Sequence, residues 1–197
     1  MEQPPIEKHP WHPFIPEGAR VLIMGTFPPG SHRWSMDFYY PNRTNDFWKI
    51  MGLLFLNDPK ALYDNATGNF NEESIKELMT QRHIALNDTA REVRRLKGNA
   101  SDKFLEILKP VPLYDLLDKM PDCHTIATTG EKAAGVIAEI TGTRLPKMGE
   151  MITMPPTPRH PSELKIWRMP STSRAYPMAL EKKAAYYAEL LRSAGVL

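Results

Sequence analysis

The chain has 197 residues, enough to bury a sizeable core, and its 42% hydrophobic and 24% charged content is that of a folded globular protein rather than a disordered one. The net charge of +2 neither demands an anionic partner nor opposes one, and the single cysteine, Cys123, excludes an internal disulfide and any four-cysteine zinc or iron–sulfur centre within the chain. No apolar run approaches membrane-spanning length and the first residues lack the apolar core of a signal peptide, so the expectation is a cytoplasmic protein with no membrane partner.

In chain order, residues 1–19 read as an irregular arm, with His9-Pro10 and His12-Pro13 flanking Trp11. Arg20 to Met24 is a short apolar run ending at glycine, the pattern of a buried strand. A helix is expected over 45–55, with Thr44 or Asn45 as its N-cap, and a short one over 72–80. His83 to Leu86 reads as a second strand, ending at Asn87-Asp88. Residues 89–108 are charged and helix-prone but weakly periodic, and a helix is expected over 111–120. A third strand, His124 to Thr128, closes at Thr129-Gly130. It leads into a helix over 131–140 with Ala133, Val136, Ile137 and Ile140 on one face. Leu164 to Met169 is the fourth strand. The last helix, 177–191, has Pro177 in its first turn and an apolar stripe of Leu180, Ala184, Tyr187 and Leu191. Strands and helices alternate, which predicts an α/β fold with three α/β/α layers around a mostly parallel sheet of about four strands. Without an internal repeat or a linker, 1–197 reads as one domain.

In such a sheet the loops after the strands converge on the site, here 25–31, 87–89, 128–131 and 170–175. Gly25 and Gly30 have the spacing of a phosphate-binding loop, but Ser31-His32 stand where that loop needs Lys and Ser/Thr. Pro28 and Pro29 also lack the backbone N–H groups through which it works. The loop is therefore a stiff wall rather than a phosphate cradle.

Two segments carry a resemblance. One holds Gly25-Thr26-Phe27-Pro28, Tyr39-Tyr40 and Asn45-Asp46-Phe47-Trp48; the other holds Pro170-Ser171-Thr172-Ser173. In order and spacing they resemble the site motifs of the uracil-DNA glycosylase superfamily, most closely the branch with hypoxanthine-DNA glycosylase and the mismatch-specific uracil glycosylases. The resemblance covers the chain from His12 to about Tyr187 and is weaker in the middle. It implies a monofunctional DNA glycosylase of base excision repair that hydrolyses the N-glycosidic bond of a deaminated base, uracil or hypoxanthine, flipped out of DNA. The implied partner is DNA with a damaged or mismatched base, with no cofactor, no metal and no obligate protein partner, and nucleoid association in a bacterial cell.

Such an enzyme needs an apolar wall to stack the base, amides to read its edge, a group to hold water, and donors to grip phosphates. Its transition state resembles an oxocarbenium ion, so electrostatic positioning outweighs nucleophilicity. Other branches carry Asp or Asn at the position of Phe27; in the branch this chain resembles, catalysis falls to the Asn of Asn-x-Phe-Trp, here Asn45. That residue equally suits a helix cap. Gly25, Thr26, Phe27, Pro28, Tyr39 and Tyr40 would form the base pocket, although aromatic residues of this kind often serve only as core. Asn87, at the end of Ile84-Ala85-Leu86-Asn87, resembles the strand-end amide of family-one uracil glycosylases, where the hypoxanthine-type branch carries Trp; a turn Asn is the plain alternative. Pro170, Ser171, Thr172, Ser173 and Arg174 would hold the backbone, and they are preferred to His160-Pro161-Ser162 because they lie between a strand and a helix. Arg91, Arg94, Arg95 and Lys97 form a basic run that either tracks DNA or is solvated, and Lys182 and Lys183 read as solubilising charges. Besides the glycosylase, two readings stand: a non-catalytic nucleic-acid-binding relative, favoured by Phe27, and a small-molecule-binding α/β protein indifferent to DNA.

Overall fold

The computed structural model describes residues 3–97 and 102–197. In chain order the elements are β1 (Ile6–Lys8), β2 (Val21–Gly25), α1 (Phe47–Leu56), α2 (Glu72–Gln81), β3 (Ile84–Asp88), β4 (Ala90–Arg95), β5 (Leu105–Pro110), α3 (Leu113–Leu117), β6 (Thr125–Thr129), α4 (Glu131–Thr141), β7 (Met151–Met154), β8 (Leu164–Met169) and α5 (Leu180–Ser193). The main sheet has the order β3-β2-β6-β8-β7. Its first four strands are the four expected from the sequence and run parallel; β7 adds an antiparallel edge. Met151 to Met154 alternates exposed and buried, too short a signal to separate from the proline-rich loop around it.

Two apolar layers enclose the sheet, because successive strand residues face opposite sides. Val21 and Ile23 join Phe47, Trp48, Ile75, Met79, Tyr187 and Leu191 from α1, α2 and α5. Leu22 and Met24 join Leu116, Leu117, Ile137 and Ile152 from α3, α4 and β7. Strands β2, β3 and β6 are buried on both faces, as central strands of a parallel sheet should be. Trp48 lies at 0% exposure with its indole N–H donating to the Tyr39 carbonyl, so the aromatic pair of Asn-x-Phe-Trp is first of all core.

A second sheet, β1-β4-β5, corrects two expectations. The helix-prone stretch 89–108 holds two antiparallel strands, with residues 98–101 outside the described residues. Its charges suit a strand because they meet partners across it: Arg94 pairs with Glu106 and Arg95 with Glu7. Cross-strand pairing and the burial of Ala90, Val93 and Leu105 override helical propensity there. The arm is not wholly irregular, since β1 pairs with β4 and His9 N–H donates to the Arg91 carbonyl.

Candidate active site

At the carboxyl ends of β2, β3, β6 and β8 lies a cleft of about 670 Å³. Gly25 to Pro29 form one wall and Ser171 to Ser173 another, with Tyr40, Asn45, Asp88, Asp102 and Thr129 between them. The volume suits a nucleoside-sized ligand.

The glycine loop is held by its carbonyls, since its prolines offer no N–H. Arg95 donates to the Pro28 carbonyl at 3.1 Å and the Trp34 indole to that of Pro29 at 2.7 Å. Arg95 is thereby a brace for this wall and Arg94 an ion-pair partner, and neither is free to track a nucleic-acid backbone. Phe27 faces the cleft while its ring packs on the small-sheet core and meets the His9 ring edge-on at 5.5 Å.

The floor depends on Gly25. A Cβ there would stand 2.6 Å from Asp88 Oδ1, 3.5 Å from the Tyr40 hydroxyl and 3.6 Å from Thr129 Oγ1. Only glycine lets these three oxygens close over the strand end. Tyr40 adopts φ 52°, in the left-handed region, and is held there by stacking on Phe47 at 3.8 Å and by a 3.2 Å hydrogen bond between its hydroxyl and Thr129. Burial, then the nearby Asp88 carboxylate, push its phenol well above the ordinary range, so it stays a neutral donor.

Tyr39 and Asn87 lie beneath the cleft rather than on it. The Tyr39 hydroxyl donates within 3.0 Å of both the His12 carbonyl and Asn87 Oδ1. Asn87 is 1% exposed, and its Nδ2 has no hydrogen-bond partner among the described residues. The residue that reaches the cleft from β3 is the next one, Asp88, which pairs in register with Gly25. A one-residue step along a strand changes the face, which is why the resemblance to a strand-end amide lands one position off.

Asp88 is buried, and His9 Nε2 lies 2.9 Å from its Oδ2, where a ring N–H donates to the carboxylate. The arm therefore closes the site from behind. Replacing His9 by Ala strands a buried carboxylate and is expected to lower stability by about 3 kcal/mol. His9→Gln, which retains a side-chain N–H donor, should recover much of it. Urea unfolding of the two variants checks this.

Asn45 lines the cleft, and its Oδ1 accepts the Phe47 N–H at 2.9 Å. The N-cap of α1 is Asp46 rather than the expected Thr44 or Asn45, so Asn45 satisfies the first helical N–H from one position further out and borders the cleft at once. Asp46 N–H donates to the Thr172 carbonyl at 2.9 Å, tying α1 to the serine loop. Lys183 is not a surface charge: it is fully buried, and its Nζ donates to Asp46 Oδ2 at 2.8 Å and to the Ser173 carbonyl at 2.9 Å. Helix α5 begins only at Leu180, so the serine loop offers hydroxyls and amides rather than a helix N-terminus. Pro170 lines an adjoining hollow with Gly130 and Lys132, and Arg174 lies on the rim beside Asn45.

Asp102 is the second carboxylate in the cleft, brought by the connection between β4 and β5; its Oδ2 accepts the Thr26 hydroxyl at 2.9 Å. Sequence reasoning missed Asp88, Asp102 and His9. Strand register could have found Asp88, but nothing local marks the other two.

No protein-family model matches the chain, and no curated protein sequence does. Among solved structures it is similar to the solution NMR structure of a "putative Uracil DNA glycosylase" from Methanosarcina acetivorans, with a TM-score of 0.64 and 17% sequence identity over 96% of this chain and 99% of that one. The fold is of the uracil DNA glycosylase type. At that identity the likeness concerns the path of the chain, and the chemistry rests on the residues of the cleft.

Proposed function

We propose that the protein is a monofunctional DNA glycosylase that hydrolyses the N-glycosidic bond of a deaminated base, uracil or hypoxanthine, and that it belongs to the hypoxanthine-type branch of the uracil-DNA glycosylase superfamily. The observation that carries this reading is the joining of the cleft to a cationic rim. From the cleft, the surface continues past Arg33 and Arg174 into a groove bordered by Arg43, Lys49 and Lys60. The side chains of Arg33, Arg43, Lys60 and Arg174 form no ion pair among the described residues, whereas Arg94, Arg95, Arg144, Arg159 and Arg168 are paired. What sets these four apart is their place along one side of the cleft, where cations left without an ion-pair partner suit phosphates flanking a flipped nucleotide.

In this reading Phe27 and Tyr40 flank the base, and the amides and hydroxyls of Ser171 to Ser173 hold a phosphate. Asn45 positions the attacking water. The Asp88 carboxylate faces the positive charge that develops on the sugar as the bond to the base breaks. The test is a panel of duplexes bearing uracil, hypoxanthine, xanthine or a mismatch. Release of none of these bases by pure protein would sink the proposal.

The same reading predicts a salt effect. Arg43→Gln and Lys60→Gln should each weaken duplex binding and flatten the slope of log affinity against log salt by about 0.9 for every phosphate that is no longer neutralised. Fluorescence anisotropy across a salt series reads this, and unchanged slopes would remove the groove from the DNA path. A non-catalytic DNA-binding protein is the second reading, favoured by Phe27 in the glycine loop and by the engagement of Asn45 Oδ1 with its own helix. It predicts the same salt slopes without base release.

A further inference from the structure

The glycine loop carries no group able to exchange a proton with a base, since Phe27 occupies its central position. A carboxyl nevertheless reaches the same place from a segment far away in sequence. Asp102 stands in the short turn Asp102–Phe104 that leads into β5, and it lines both the cleft and the hollow beside it. Among the described residues its one hydrogen-bond partner is the Thr26 hydroxyl at 2.9 Å, next to Phe27. Oδ1 is left for a ligand.

We propose that Asp102 is the acid of the cleft, and that it makes purine lesions the preferred substrates. The inference rests on the glycosylase reading above. As the C1′–N bond breaks, its electron pair passes to the base and the Asp102 carboxyl proton passes to a ring nitrogen, so the purine leaves neutral. Water adds to C1′ of the sugar cation and gives up a proton, which restores the Asp102 carboxyl. Hypoxanthine gains from this transfer because a purine is a poor leaving group unless protonated. Uracil departs as a delocalised anion and needs it less.

The surroundings suit the role. Burial raises the Asp102 carboxyl above the usual carboxylate range, and Asp88 pushes the same way. Opposing them are the Thr26 hydroxyl, Lys132 of α4 and Arg95 of β4. The acid form is therefore favoured in the cleft over the form in water. Hypoxanthine release should be full at low pH and fall as pH rises through the elevated value, while uracil release should lack that limb.

The experiment compares single-turnover release of hypoxanthine and uracil by wild type, Asp102→Asn and Asp102→Glu across pH, with thermal unfolding of each. Asp102→Asn should lose about 10²-fold on hypoxanthine and lose the alkaline limb, with a much smaller loss on uracil. Asp102→Glu should keep the limb and part of the rate. Because the folded state holds the Asp102 proton more tightly than the unfolded chain, ionisation above both values weakens folding, so Asp102→Asn should melt no lower than wild type at neutral pH. Wild-type hypoxanthine release by Asp102→Asn, or equal losses on both lesions, overturns the proposal and leaves the glycosylase reading intact. Wild-type protein that releases neither base overturns both.

Discussion

Asn45→Ala is expected to lower base release by about 10²- to 10³-fold, the size of effect seen when one positioned polar group is removed from a transition state. The same change removes the Oδ1 that accepts the Phe47 N–H, which should cost about 1 kcal/mol of stability. Separating the two roles needs a second variant. Asn45→Asp keeps an acceptor for that N–H and so the start of α1, but it replaces the amide bordering the cleft by a carboxylate. If Asn45 holds the water, both variants change single-turnover rates while only the alanine variant unfolds earlier in urea. If it is only a cap, Asn45→Asp behaves as wild type in both measurements, and the catalytic assignment falls.

Lys183→Ala should be as destabilising as any single change around the cleft, at about 3 kcal/mol. It removes one member of a buried pair and strands the Asp46 carboxylate and the Ser173 carbonyl. Lys49, 3.3 Å from Asp46 Oδ1, keeps the loss toward the lower end of the usual range. For a chain of this length that is a fall of roughly 10 °C in melting temperature. The double variant Asp46→Asn/Lys183→Met should recover part of the loss, because neither partner is then left charged without the other. Additive losses in that cycle would show that the pair is not coupled.

The layered fold was legible because its strands are short, mostly apolar or β-branched and end at Gly25, Asp88, Gly130 or Pro170, and because the helices between them carry one apolar face. Gly25, Phe27 and Ser171 to Ser173 follow strand ends, where a parallel sheet places its site, whereas Tyr40 and Asn45 were nominated by the family resemblance; all of them line the cleft. Tyr39 and Asn87 share those segments but turn beneath the cleft, and a sequence gives position along a strand more readily than the face. Lys183 reads as solvent-facing until Asp46, 137 residues earlier, is brought beside it. Asp102 and His9 flank strands of the small sheet, one in a stretch that reads as helical and the other in an arm that reads as irregular until their partners are known. Long-range pairing decided all three, and no window of sequence contains it.

The cleft draws on His9 near one end of the chain and on Lys183 near the other. During synthesis the loop bearing Phe27 emerges early, but the Lys183 bridge between Asp46 and the Ser173 carbonyl cannot form until α5 has left the ribosome. A nascent or truncated chain therefore presents loose loops where the finished protein presents a shaped cleft. On the glycosylase reading, the capacity to cut bases from DNA would arise only once α5 has packed onto α1 and Lys183 has reached Asp46.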